Sequence, residues 1–243
     1  MECILLAAGY ATRLYPLTEN KPKALLELGK KTILDMVVEK IEKVEDINHI
    51  YIVTNHRFAG QFSEWAKNYK GTKKVEVLDD GTTNNDNRLG AIGDIKFVID
   101  QKKITDELFV LASDNIFDFE LTDMMKLYHE KGGDVISAHY IADKNVLKAM
   151  GVVKLEEDGK VTEFVEKPAE PQSNYGALPF YIYRKTTVPL IDKYLKEGNN
   201  PDAPGYFVGW LVNETDVYAY QFDVMAIDIG TPESYYEAQK LFD

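Results

Sequence analysis

Ile4-Leu5-Leu6-Ala7-Ala8-Gly9-Tyr10-Ala11-Thr12-Arg13-Leu14-Tyr15-Pro16-Leu17-Thr18, followed by Lys21-Pro22-Lys23-Ala24-Leu25-Leu26, lies near the start of a 243-residue chain. Ile4, Leu5 and Leu6 form a short, uninterrupted apolar run, the pattern of a strand covered on both faces in a mostly parallel sheet. Ala7, Ala8 and Gly9 end it with side chains small enough for main-chain N–H groups to approach a ligand, and a turn of that kind makes a nest for anions. Arg13, Lys21 and Lys23 then supply positive charge. Residues 1–31 carry five cations and three carboxylates, net +2, on a chain whose overall charge is −12. A positive island on an acidic protein suits a small polyphosphate and argues against an extended nucleic-acid track. The segment is neither a Walker A loop nor a three-glycine dinucleotide fingerprint.

With 45% hydrophobic residues the chain can bury a full core in one large domain, or in a domain with a smaller lobe. Its single cysteine, Cys3, cannot form an intrachain disulfide and reads as a small buried apolar residue, which fits a reducing compartment. No apolar run approaches the roughly 18 residues needed to span a bilayer, and no leader pattern precedes the first strand. A soluble cytoplasmic protein is the expectation.

Strand and helix patterns alternate through the first half, as in a doubly wound α/β domain. Ile33, Met36, Val37, Val38 and Ile41 recur at helical spacing, Ile50–Val53 reads as a strand, and Phe58, Phe62, Trp65 and Tyr69 mark an aromatic helical stripe that reads as core. Val75–Leu78 predicts a third strand, Ala91–Gln101 a helix, and Leu108–Ala112 a fourth strand ending at Ser113-Asp114-Asn115. A helix over Leu121–Lys131 and a strand over Val135–Ile141 follow, and Gly151–Leu155 and Lys160–Val165 flank Asp158-Gly159 as a hairpin. Pro168, Pro171, Tyr175 and Pro179 line an irregular stretch before a strand over Phe180–Tyr183.

Asp114 closes an apolar strand at the edge where open α/β sheets bind ligands, which reads either as a turn or cap aspartate or as a metal ligand. Asp228, in Ala226-Ile227-Asp228-Ile229-Gly230-Thr231-Pro232, again ends an apolar stretch, with Pro232 placed to start a helix. Two such carboxylates could converge on one hard cation such as Mg²⁺. His49, His56, His129 and His139 show no metal-ligand spacing. Glu166-Lys167 is either an exposed ion pair or a carboxylate that accepts from hydroxyls beside an ammonium that meets a phosphate.

The opening string resembles the signature of the sugar nucleotidyltransferases, the sugar-1-phosphate nucleotide pyrophosphorylases that include glucose-1-phosphate thymidylyl- and uridylyltransferases. Ser113-Asp114-Asn115, Asp228-Ile229-Gly230-Thr231-Pro232, Gly151-Val152-Val153, Val165-Glu166-Lys167-Pro168 and Asn174-Tyr175 resemble further segments of that family, and Arg88-Leu89-Gly90-Ala91 looks like a variant of its base-lining loop. The resemblance implies a Rossmann-like doubly wound mixed sheet of the nucleotide-diphospho-sugar transferase type. It further implies a nucleotide-binding part over about 1–133, a smaller sugar-phosphate lobe over about 134–225 and a closing segment over 226–243. Arg13, Lys23 and Asp114 would be catalytic, and Ala7, Ala8, Gly9, Thr12, Arg13 and Gly90 would bind nucleotide. Lys23, Asn115, Gly151, Glu166, Lys167 and Asn174 would bind sugar phosphate, with Asp114 and Asp228 as ligands of Mg²⁺. The implied reaction joins a nucleoside triphosphate, UTP or dTTP favoured, to a sugar 1-phosphate, glucose 1-phosphate favoured. The alternatives are a cytidylyltransferase acting on phosphocholine or another phosphorylated alcohol, and a non-catalytic nucleotide-sugar sensor. The expected partners are small molecules, neither nucleic acid nor membrane, with a homo-oligomer left open. No hexapeptide repeat follows Asp228, so a fused acyltransferase domain is not expected.

Overall fold

The computed structural model describes residues 1–223 and 229–242 in full, and 226–227 by backbone. The chain begins with β1 (Glu2–Leu6), two short strands β2 (Glu27–Leu28) and β3 (Lys31–Thr32), α1 (Ile33–Glu42), β4 (His49–Thr54), α2 (Ala59–Asn68) and β5 (Lys74–Asp79). It continues with α3 (Ala91–Lys102), β6 (Leu108–Ala112), β7 (Ile116–Phe117), α4 (Leu121–Lys131), β8 (Asp134–Tyr140), the one-turn α5 (Lys144–Leu147), β9 (Gly151–Leu155) and β10 (Val161–Glu166). Last come β11 (Tyr175–Tyr183), α6 (Val188–Lys196), α7 (Pro204–Leu211), β12 (Val217–Gln221), β13 (Ala226–Ile227) and α8 (Pro232–Phe242). These elements form two compact units, one made of Met1–Arg88, Ala112–Leu121 and the described part of Val224–Asp243, the other of Leu89–Leu111 and Thr122–Asp223.

In the first unit β1 pairs in parallel with β4, and β4 with β5, so that Cys3 lies opposite Ile50 and Ile52 opposite Val77. Cys3, Ile4, Leu5, Ile50, Ile52 and Val53 are fully buried, as the uninterrupted apolar runs require. Helix α1 starts at a capping box: Asp35 N donates to Thr32 Oγ1 at 3.1 Å, and Thr32 N donates back to Asp35 Oδ2 at 2.8 Å. Its buried face is Ile33, Leu34, Val37, Val38 and Ile41. The aromatic stripe divides: Phe58 and Phe62 are core, whereas Trp65 is half-buried, donates its indole N–H to Asp35 Oδ1 at 2.8 Å and stacks on Tyr69. A second apolar cluster of Leu14, Leu26, Leu28, Ile33, Ile116, Ile229, Tyr235 and Ala238 joins the segment after β1, α1, β7 and α8. The residues flanking the two candidate aspartates are thus anchored by one core.

In the second unit β11 is central. It pairs antiparallel with β8 along one edge and with β9 and β6 in succession along the other, while β10 adds antiparallel to β9 and β12 parallel to β8. The stretch expected to be irregular before Phe180 is therefore corrected: the strand already runs from Tyr175. Pro179, which has no N–H to give a ladder, falls where the β11–β8 register shifts between Leu178 and Tyr181, so the strand absorbs it at a bulge. The β9–β10 hairpin turns at Gly159, whose φ is +84°, with Asp158 Oδ1 accepting from Lys160 N at 3.0 Å. Buried Asp134 fastens β8 to the start of α6, accepting from Arg184 N at 2.7 Å and from Thr187 Oγ1 at 2.8 Å.

Candidate functional site

Beyond β1 the chain is held from two sides. Ala7 N donates to Val53 O at 2.9 Å, and the Ala8 carbonyl accepts from Asn55 Nδ2 at 2.9 Å, while Asn55 Oδ1 accepts from Phe58 N. Asn55 is fully buried and spends both ends of its amide on this task. The left-handed residue of the bend is Ala11, with φ of 46°, whose carbonyl accepts from Leu14 N at 3.0 Å and Thr18 Oγ1 at 2.7 Å. A Cβ placed on Gly9 would meet nothing within 4 Å, so the room there faces outward, where a ligand could come close. A 3₁₀ turn over Thr12–Leu14 then presents Arg13, which is exposed and makes no ion pair among the described residues.

A second 3₁₀ turn, Lys23–Leu25 after Pro22, sets Lys23 Nζ 3.1 Å from Asp114 Oδ2, the lysine side chain only 11% exposed. Asp114 is fixed through its neighbour: Ser113 gives both its N–H, at 3.1 Å, and its hydroxyl, at 2.8 Å, to the Leu6 carbonyl at the end of β1. Gly9, Arg13, Lys23, Asp114, Ile229 and Gly230 are among the residues lining a small cavity of about 140 Å³, together with Ala7. Ala8 and Thr12 are not in its lining, and Asn115 lines a separate apolar groove with Leu28, Met36 and Phe117. Lys21 pairs with Glu27 at 3.2 Å. Asp228 lies outside the described residues; the next residue pairs are Ile229 and Gly230 in the cavity wall and Ile227, opposite Ile116 in the β13–β7 ladder. Among the described residues no group of three or more His, Cys, Asp or Glu side chains is placed to hold a metal. Asp114 offers a hard oxygen beside the one that Lys23 takes, a donor whose chemistry fits Mg²⁺ completed by phosphate and water oxygens.

In the second unit Gly90, with φ of +78°, caps α3, and a Cβ there would stand 2.5 Å from the Pro201 carbonyl oxygen. The first N–H groups of α3 are taken by backbone: Ala91 N by Asp202 O at 3.1 Å and Ile92 N by Pro201 O at 2.9 Å. Glu166 ends β10 directly opposite Gly151 of β9. Burial pushes the Glu166 carboxyl above its ordinary value, Lys167 opposes that shift and Asp202 adds to it. The carboxylate accepts no hydrogen bond among the described residues, and Lys167 Nζ stands 3.9 Å from Oε1. Lys167 itself is left-handed, φ 48°, immediately before Pro168, a conformation that costs a non-glycine residue about 1–3 kcal/mol. Asn174 Nδ2 donates to Ile141 O at 2.8 Å, and Ile141 N returns a bond to Asn174 O, so this side chain clasps β8's exit. Gly151, Glu166 and Lys167 therefore come together, with Asn174 fixing a neighbouring segment. Sequence reasoning missed Asn55, for which a polar residue straight after the apolar strand of β4 was the available signal.

Residues 2–243 match the family described as "Nucleotidyl transferase", and the chain belongs to it. The chain is 28% identical over 242 residues to the bifunctional protein GlmU of Methanocaldococcus jannaschii, covering 99% of this chain and 54% of that protein. Against a UTP–glucose-1-phosphate uridylyltransferase of a Synechocystis strain it is 26% identical, covering 98% of this chain and 62% of the relative. It thus spans a little over half the length of these curated relatives. The uridylyltransferase AglF of Haloferax volcanii is matched at 25% identity over 99% of this chain and 96% of its own length. Among solved structures, a UDP-glucose pyrophosphorylase complexed with UDP-glucose superposes with a TM-score of 0.83 at 21% identity, covering 99% and 97% of the two chains. That likeness establishes the α/β fold expected from the opening motif.

Proposed function

We propose that this chain transfers a nucleotidyl group from a nucleoside triphosphate to a sugar 1-phosphate, releasing pyrophosphate, with UTP or dTTP and glucose 1-phosphate as the favoured pair. The observation that carries the reading is the Lys23–Asp114 pair at 3.1 Å, set against the outward-facing Ala7–Gly9 bend in a cavity that Arg13 also lines. In the reaction the sugar-phosphate oxygen attacks the α-phosphorus; one P–O bond forms there as the bond to the departing pyrophosphate breaks. A phosphate monoester is already anionic near neutral pH, so neither a protein nucleophile nor a general base is needed. The work left to the protein is to position two polyanions and offset their charge.

Arg13, exposed and without an ion pair among the described residues, is suited to the triphosphate by its fork of donors. Lys23, an ammonium held 3.1 Å from Asp114 in the same cavity, is assigned with Lys167 to the sugar phosphate. Glu166, desolvated and without a hydrogen-bond donor among the described residues, suits sugar hydroxyls. Gly90 is assigned to the base. Asp114 and Asp228 are the residues that would hold Mg²⁺, which would neutralise phosphate charge when bound. The single buried thiol, and the lack among the described residues of any helix long and apolar enough to cross a membrane, suit a cytoplasmic setting.

The test is an initial-rate panel measuring pyrophosphate release with UTP, dTTP, CTP, ATP and GTP against glucose 1-phosphate, mannose 1-phosphate, N-acetylglucosamine 1-phosphate and phosphocholine. Turnover with a sugar 1-phosphate is expected. Turnover confined to phosphocholine and CTP, or nucleotide-sugar binding without pyrophosphate release, would replace the reading with another.

A further inference from the structure

The Glu166 carboxylate occupies space that two glycines leave to it. A Cβ built on Gly205 would stand 1.9 Å from Glu166 Oε2 and 2.7 Å from Phe164 Cε1, and one built on Gly151 would stand 3.3 Å from the same oxygen and 2.3 Å from Phe164 Cζ. Gly205 lies in the first turn of α7, behind Pro204, with no left-handed backbone to demand a glycine. In a helix glycine costs about 0.5–1 kcal/mol relative to alanine, so local propensity works against it. What the missing side chain provides is room for a half-buried carboxylate that no donor within the described residues satisfies. The turn leading into Gly205 is pinned at its other end, because the Pro201 and Asp202 carbonyls cap α3 and Gly90 fits only by having no Cβ against Pro201.

We propose that Gly205 is a positioning residue for acceptor specificity: it keeps the Glu166 carboxylate in place for sugar hydroxyls, and the Pro201–Gly205 turn ties that placement to the Gly90 loop. The inference rests on the reading of Glu166 as a hydroxyl acceptor. In Gly205→Ala the oxygen is the free end of a flexible side chain and can swing away, so the fold survives while the carboxylate is displaced. Losing a hydrogen bond to a charged acceptor is worth roughly ten- to a hundredfold in affinity.

The test compares Gly205→Ala, Glu166→Gln and the double variant, using UTP and glucose 1-phosphate or whichever pair the wild-type protein turns over best. Each single variant should raise the KM for the sugar phosphate about tenfold or more, with the KM for nucleotide changed by less than about twofold. The double variant should be no worse than Glu166→Gln alone, because Gly205 acts through Glu166. Additive losses, or an unchanged sugar-phosphate KM in Gly205→Ala while Glu166→Gln is impaired, would overturn the inference and leave the role of Glu166 intact. An unimpaired Glu166→Gln would instead overturn the reading beneath it. Should Gly205→Ala melt far below wild type, adding Glu166→Asp, whose shorter carboxylate withdraws from the new Cβ, should restore Tm while leaving the sugar-phosphate KM raised; failure to restore Tm counts against the proposal.

Discussion

Lys23 and Asp114 meet because Pro22 and Ser113 bring two loops to the end of β1, each by a small number of directed contacts. Lys167 stands apart: it is exposed and strained in φ, and among the described residues its ammonium pairs with Glu166 at no closer than 3.9 Å. Lys167→Ala should raise the KM for sugar phosphate at least about tenfold and leave that for nucleotide near wild type; equal effects on both would show the role misassigned. Asn55 supports the bend from behind, and Asn55→Ala would leave the Ala8 carbonyl without its donor. A loss of about 1–3 kcal/mol in unfolding free energy is expected by urea titration, together with a raised KM for nucleotide. At this scale the sequence was readable where chemistry announces itself, as at Asp114 after an apolar strand or Glu-Lys-Pro after another. Asn55 and Gly205 were not, because what makes each matter is a neighbour far along the chain: Ala8 for one, Glu166 for the other.

Elements with a single strong period were legible: α1 from Ile33, Val37, Val38 and Ile41, all buried, although Met36 is only partly buried and buried Leu34 was not in the pattern, β1 and β4 from uninterrupted runs, the β9–β10 hairpin from Asp158-Gly159. β11 was misjudged at its start, since prolines signal irregular chain and only the pairing shows that Pro179 sits at a register shift. Helix α7 went unread, its Phe207, Val208 and Leu211 buried and its Gly205 and Gly209 facing β10, a composition with too little polar contrast to display a period. The junction of β8 with α6 depends on Asp134, wholly buried and hydrogen-bonded to Arg184 N and Thr187 Oγ1. Asp134→Ala strips both donors of their partner and should cost about 2–4 kcal/mol in denaturant unfolding; a change below 0.5 kcal/mol, about the spread of neutral surface substitutions, would contradict the assigned linkage.

For the molecule as a whole, charge and burial set its response to pH. The Glu166 carboxyl titrates above its ordinary value, chiefly because burial disfavours the anion. The folded state therefore holds that proton more tightly than the unfolded one, and stability falls as pH rises from the unfolded value through the folded one. Glu166→Gln should melt higher than wild type at neutral pH, with the difference vanishing towards pH 4; a difference constant with pH would contradict the buried-anion account. Removing divalent cations with EDTA should abolish turnover, and added Mg²⁺ should restore it. The α/β class and the positive island were evident from pattern and charge, while the cavity beside Gly9 needed coordinates, because the contacts that shape it join residues scarcely related by sequence spacing. The most direct test of the central claim is the rate of pyrophosphate release by Asp114→Asn, measured beside its melting temperature. A fall of at least about a hundredfold in kcat/KM with Tm within a few degrees of wild type is expected, whereas a near-normal rate would remove Asp114 from the reaction.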